Sequence, residues 1–209
     1  MSRLSRGLFF LALLALGASL FLPLWRVRLF APQYREGLGM LIHAGRIVGE
    51  KPYDLKNING LNHYVGMKKI EPKAIPELRF MPWLIGFMLI FGLLALALNK
   101  KSLVLSWLVM LGLLGALGLW DFWMWEYDYG HNLNPSAAIK VPGMAYQPPL
   151  IGKKQLLNFT AESWPHWGGI LAGLAFVLGG VGPSSRTGSS SMALSFRTQG
   201  SASLRTTRP

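Results

Sequence analysis

A chain of 209 residues that is 51% hydrophobic and only 14% charged departs from soluble domains, in which about a quarter of residues carry charge. The absence of cysteine excludes disulfides, thiolate zinc sites, iron–sulfur clusters and thiol redox chemistry together, and it suits polar parts facing an oxidising space. The formal net charge of +12 comes from scattered Lys and Arg, which points to anionic lipid headgroups and membrane orientation and away from nucleic acid.

The apolar residues gather in four blocks of near membrane-spanning length. The first, Leu8 to Trp25, follows a basic start at Arg3 and Arg6. Its apolar run exceeds a signal-peptide core, so residues 1–25 read as an uncleaved transmembrane anchor. A polar segment over 26–80 follows. Within it, 33–48 places Leu38, Leu41, Ile42 and Ile47 at broadly helical spacing. Residues 54–67 open on Asp54, a good helix start, and continue with Leu55, Ile58 and Val65. Both predict short amphipathic helices.

The second block, about Trp83 to Leu98, and the third, Leu103 to Trp120, are separated by Asn99, Lys100, Lys101 and Ser102 alone. So short a link cannot recross a bilayer and predicts a helical hairpin over 81–120. A second polar segment, 121–165, opens with closely spaced Trp and Tyr that belong at a membrane–water interface. It ends in a stretch stiffened by Pro142, Pro148 and Pro149. The fourth block runs from Trp164 to Gly182, with 166–182 as its span. Gly169 and Gly173 there, and Gly112, Gly115 and Gly118 on the third, offer close helix approach for homo- or hetero-oligomers. The tail, 183–209, is rich in Ser, Thr, Gly and Arg and predicts disorder in the cytoplasm.

The fold class so predicted is an all-α membrane protein: four transmembrane helices, with two extracytoplasmic segments carrying short amphipathic helices and a proline-rich loop. Basic, acid-free short segments at the N-terminus, the hairpin link and the tail predict an N-in, C-in protein of the bacterial inner membrane.

The usual hydrolase, nucleotide and zinc-helix signatures are missing, and no histidine sits at the centre of an apolar block. The expectation is therefore a protein other than an enzyme. If the third helix continues through His131, Asp121, Met124, Asp128 and His131 fall on one stripe, within about 80° of arc, and Glu126 points the other way. Such a stripe suits a metal or proton site, or equally a solvated helix end. His63 and Met67 lie four apart, and Met144 sits in the proline loop. Imidazole and thioether without thiolate suit copper, although Met beside His on an amphipathic helix also serves ordinary packing.

Three strings, Ile58 to Lys68, Tyr127 to Asn132, and Ala138 through Asn158-Phe159, resemble a family of small bacterial membrane proteins associated with gene clusters for copper-enzyme maturation, especially that of nitrous oxide reductase. The resemblance covers about residues 30–180. It implies an accessory protein that assists maturation, copper loading or assembly of an extracytoplasmic copper enzyme, with copper-delivery or copper-enzyme proteins and membrane lipid as partners. His63, Met67, Asp128, His131 and Met144 are then the metal-ligand candidates. The alternatives are a transporter subunit or a membrane subunit of a quinone-linked electron-transfer complex.

Overall fold

The structure, a computed structural model, describes residues 1–184. It contains five helices and a five-stranded antiparallel sheet, so the all-α expectation is wrong. The expectation of four spanning helices fails as well. Helices α3 (Glu77–Leu98, 22 residues) and α4 (Lys101–His131, 31 residues) are long and apolar enough to cross a membrane. Helix α1 (Arg3–Ser19) has 17 residues, and the apolar stretch of α5 (Trp167–Ser184) covers only Trp167–Val181. Both fall short of the roughly 20 residues a bilayer core demands.

The first block breaks early for a local reason. Pro23 disfavours helical backbone at the residue before it, and α1 ends at Ser19. Trp25 then opens strand β1 (Trp25–Ala31). Trp25, Val27 and Leu29 alternate there with Arg26 and Arg28, the period of a strand with one apolar and one polar face. Strands β2 (Tyr34–Ile42) and β3 (Ile47–Gly49) occupy the stretch where a helix over 33–48 was expected. The register pairs Val27 with Met40 and Leu29 with Leu38, so the apolar residues of β1 and β2 share a face. On the opposite face Gly39 leaves room for Glu50, whose carboxylate a Cβ there would meet at 2.1 Å.

Strands β4 (Gly152–Leu156) and β5 (Phe159–Pro165) form a hairpin, and β5 joins β1 to give the order β3-β2-β1-β5-β4. Trp164, expected in the fourth span, lies in β5 and pairs with Arg26. Both polar segments of the sequence thus contribute to one sheet. Helix α2 (Asp54–Val65) forms within the stretch 54–67 where the sequence predicts one, and Gly66, in the left-handed conformation at φ 82, closes it. The Asp54 carboxylate accepts from the Gly39 and Lys51 amides at 2.9 and 3.1 Å, tying the helix to β2.

The sheet's apolar face forms a small core of Val27, Leu38, Met40 and Ile47 with Ile58 and Ile70, flanked by Phe122, Trp125 and Tyr129 of α4. Its other face carries ion pairs, Arg28 on Glu50 at 2.7 Å and Lys153 on Glu162 at 2.6 Å.

Helices α1, α3, α4 and α5 pack side by side around Phe9, Leu13, Leu16, Met88 and Trp107. The Met1 amine donates to Asn99 Oδ1 at 3.0 Å, so the N-terminus and the α3–α4 link share one end of this bundle. The sheet sits at the other, where β1 follows α1 and β5 leads into α5. There Gly168 and Gly169 let α5 start against the carbonyls of residues 22–24; a Cβ on Gly169 would meet the Leu24 carbonyl at 2.4 Å. Of the glycines read as helix-contact strips, Gly112 meets the ring of Phe176, whereas Gly115 and Gly173 face open space. Residues 185–209, and with them the expectation of a disordered tail, lie outside the described residues.

Candidate functional site

Helix α4 is about 46 Å long at 1.5 Å per residue, longer than the roughly 30 Å of a bilayer's hydrocarbon. Its charge-free stretch ends at Trp120, and its last turns, 121–131, stand beyond any spanning portion and beside the sheet. Phe122, Trp125 and Tyr129 turn toward the sheet's apolar face, with the Trp125 and Tyr129 rings 4.3 Å apart. Asp121, Met124 and His131 are exposed on the other side. Glu126, next in sequence to Trp125, is 1% exposed.

The proline-stiffened loop after α4 closes over this corner. Its Asn134 and Ile139 amides donate to the carbonyls of Gly66 and Tyr64 at the end of α2, at 2.8 and 2.9 Å. Farther along, the Tyr146 amide donates to the Gly130 carbonyl at 2.9 Å. Only glycine permits that crossing, because a Cβ on Gly130 would lie 2.4 Å from the Gln147 nitrogen. The Tyr146 ring stacks on Phe159 of β5 and is 1% exposed.

Sheet, α2, α4 and loop together enclose a cavity of about 350 Å³. Aliphatic and aromatic side chains line most of it, among them Val27, Leu29, Ile58, Leu61, Phe159 and the rings of Trp125 and Tyr129. No Lys, Arg or His lines it. Two buried polar side chains border the space without a hydrogen bond, Glu126 through both oxygens and Tyr146 through its hydroxyl, while the Trp125 indole N–H turns to its neighbour Tyr129. Buried polar groups are paired in the great majority of cases, so two unpaired ones at one void mark a candidate site.

Burial pushes the Glu126 carboxyl up to about 8, against the weaker downward pull of Lys154. At neutral pH it is an uncharged acid, able to donate one hydrogen bond and accept others. Burial likewise raises the Tyr129 phenol.

The five residues proposed as metal ligands are dispersed by comparison. His63 and Met67 line one outer recess together, whose wall also carries Lys56 and Lys69. Met67 borders the cavity as well. Asp128 accepts from Lys68 at 2.5 Å and from the Asn132 amide, and the Lys68 hydrogen bond holds its carboxyl below the usual carboxylate range. His131 is exposed, stacked on Tyr127 at 4.0 Å with Nδ1 on the Tyr127 carbonyl at 3.0 Å. Met144 sits half-buried in the loop. Among the described residues no group of three or more His, Cys, Asp or Glu is placed to hold a metal ion.

Sequence reasoning missed Glu126 and Tyr146. The signal for Glu126 was available, a carboxylate between Trp125 and Tyr129 on the helix face that continues Phe122. Tyr146 offered none beyond an aromatic ring in a stiff loop. No protein-family model matches this chain, and no curated protein matches it either.

Proposed function

We propose that this chain is a membrane-held binding protein, with the α3–α4 hairpin crossing the bacterial inner membrane and the sheet domain outside it receiving a small, mainly apolar guest. Lys100 and Lys101 at the hairpin link favour the cytoplasm by the positive-inside rule. The apolar side chains that α3 and α4 turn outward, Phe87, Ile90, Leu113 and Leu117 among them, suit lipid. One observation carries the binding reading: a largely apolar cavity bordered by buried polar groups that nothing in the protein satisfies. The test is fluorescence titration of the full chain in lipid nanodiscs with N-phenyl-1-naphthylamine, against empty nanodiscs. One saturable site per chain is expected, and Val65→Trp, which fills the cavity wall, should abolish it. Equal signals from wild type, Val65→Trp and empty nanodiscs would end this reading.

A second reading keeps the accessory role in copper-enzyme maturation that the resemblance implies. Its support is the shared recess of His63 and Met67, an imidazole and a thioether of the kind copper takes. Lys56 and Lys69 beside them and the engagement of Asp128 by Lys68 work against a cation. Copper titration of the purified protein under oxidising and under reducing conditions, repeated with His63→Ala and His131→Ala, decides it. Equal affinity in the double variant removes the site.

A further inference from the structure

The chemistry of the cavity narrows the guest that the proposed binding role requires. The Tyr146 hydroxyl donates readily, and a protonated Glu126 adds a second donor. An anionic guest would find no cation in the wall. A cationic guest would suit a Glu126 carboxylate, but the largely apolar wall disfavours its charge and the chain's own charge of +12 opposes its approach. What satisfies both donors inside an apolar wall is an acceptor oxygen on an uncharged apolar body.

Position supplies the source. Trp125 lies five residues beyond Trp120, about 7–8 Å along the helix axis, which is the depth of a bilayer's headgroup layer above its hydrocarbon. A guest dissolved in the membrane therefore meets the cavity at the level where its polar end would float.

We infer that the cavity binds an uncharged, membrane-soluble carbonyl compound, its carbonyl oxygen accepting from Tyr146 and Glu126 and its apolar body lying against the sheet. Quinones and the acyl esters of neutral lipids share this chemistry. The inference rests on the binding role proposed above and adds the class of guest.

Two probes separate the sources: a decyl-substituted benzoquinone and dihexanoylglycerol, each used to displace N-phenyl-1-naphthylamine from the full chain in nanodiscs. Undecane, decylamine and decanoate serve as hydrocarbon, cation and anion of similar length. One or both carbonyl probes should displace at least tenfold more effectively than undecane. Tyr146→Phe and Glu126→Leu should each cut that preference about three- to tenfold, the range a single hydrogen bond supplies. Because the Tyr146 hydroxyl bonds nothing within the protein, Tyr146→Phe should leave thermal stability unchanged or raise it, so lost binding there is not lost folding. The carbonyl stretch of the bound probe in infrared difference spectra should move to lower frequency in wild type and return in Tyr146→Phe.

Tighter displacement by decylamine would make this an organic-cation site and overturn the inference. Equal displacement by undecane, with no effect of Tyr146→Phe, would overturn it while leaving the binding role intact. If the fluorescent probe never binds, both fail.

Discussion

Trp107 and Trp125 lie on the same helix, about five turns apart, and both are buried against neighbouring elements, yet they are treated differently. Trp107 is fully buried in the helical bundle, its N–H donates to the Met88 carbonyl at 2.8 Å, and Phe9 meets its ring edge-on at 5.0 Å. Gly92 and Gly179 make way for it; a Cβ on Gly92 would lie 2.8 Å from its nitrogen. Trp125 stands beside a cavity, its N–H turned to Tyr129, with the Glu126 carboxyl and the Tyr146 hydroxyl unpaired near it. One end of α4 is filled and satisfied, as cohesion requires. The other end keeps a cavity bordered by a carboxyl and a hydroxyl that nothing in the protein satisfies. The contrast sets cohesion in the bundle against the binding role proposed for the space under the sheet.

The sharpest way to break that contrast is to hollow out the filled end. Trp107→Ala removes a large packed ring and one hydrogen bond to the Met88 carbonyl, which keeps its partner within α3, a change costing about 3–5 kcal/mol in a well-packed core. The part due to lost packing persists in lipid, where helices hold together through van der Waals contact rather than water exclusion. Thermal melting in detergent should fall by roughly 6–20 °C. A fall under about 2 °C would mean the bundle tolerates voids as readily as the sheet end, and the contrast would lose its basis.

A smaller effect is expected from the charge state of Glu126. Its folded value near 8 lies above the ordinary 4.5, so between these pH values the folded chain holds a proton that the unfolded chain has lost. Stability therefore falls as pH rises through that window and levels off above about 8. From pH 6.5 to 8 the loss is about 1.5 kcal/mol, given roughly 1.4 kcal/mol per unit at full separation. His43 and His166, both pushed down chiefly by burial, act at and below their ordinary 6.5, outside this range. Lys154 pulls the Glu126 carboxyl down only weakly, and burial pushes the Tyr129 phenol further above this range. Melting temperatures of wild type and Glu126→Gln across pH 6.5–8 measure it: wild type should slope downward and the variant should be flat. Parallel curves would show that water already reaches the carboxyl.

These two ends of α4 were not equally legible in the sequence. The lower end and α3 announce themselves through unbroken apolar runs, and α2 through Asp54 and its helical spacing. The sheet did not. The alternation Trp25-Arg26-Val27-Arg28-Leu29 is a strand pattern, but Trp25 closes the apolar block before it and reads as the end of a span, which leaves Arg26 to Leu29 to the polar segment that follows. In β2, Leu38, Leu41 and Ile42 fit helical spacing as well as strand spacing, and few β-branched residues arbitrate. The pairing of β1 with β5 joins residues more than a hundred positions apart, which no local pattern reports. At the site, helical geometry correctly turns Glu126 away from Asp121, Asp128 and His131. A lone carboxylate facing an unseen sheet has no partner in the sequence, whereas the exposed stripe groups several possible ligands together. Its lack of a partner is the informative fact, and only the fold displays it.

The smallest effect belongs to the outer surface, where Lys68 reaches Asp128 at 2.5 Å with both side chains nearly half exposed, 49% and 40%. Exposed pairs of this kind contribute less than about 1 kcal/mol, because water screens the attraction and holding two side chains in place costs entropy. Lys68→Ala should accordingly shift melting by less than about 4 °C, and less still in 0.5 M salt. It should also leave binding of N-phenyl-1-naphthylamine unchanged, since Lys68 does not line the cavity. What it changes is the recess outside: one positive charge fewer near His63 and Met67, and an Asp128 carboxylate released from its strongest partner. If copper binds there, Lys68→Ala tightens it while the cavity stays indifferent. A variant that weakens probe binding instead would show that the ion pair sets the spacing of α2 and α4, and that the surface and the cavity beneath it form one site.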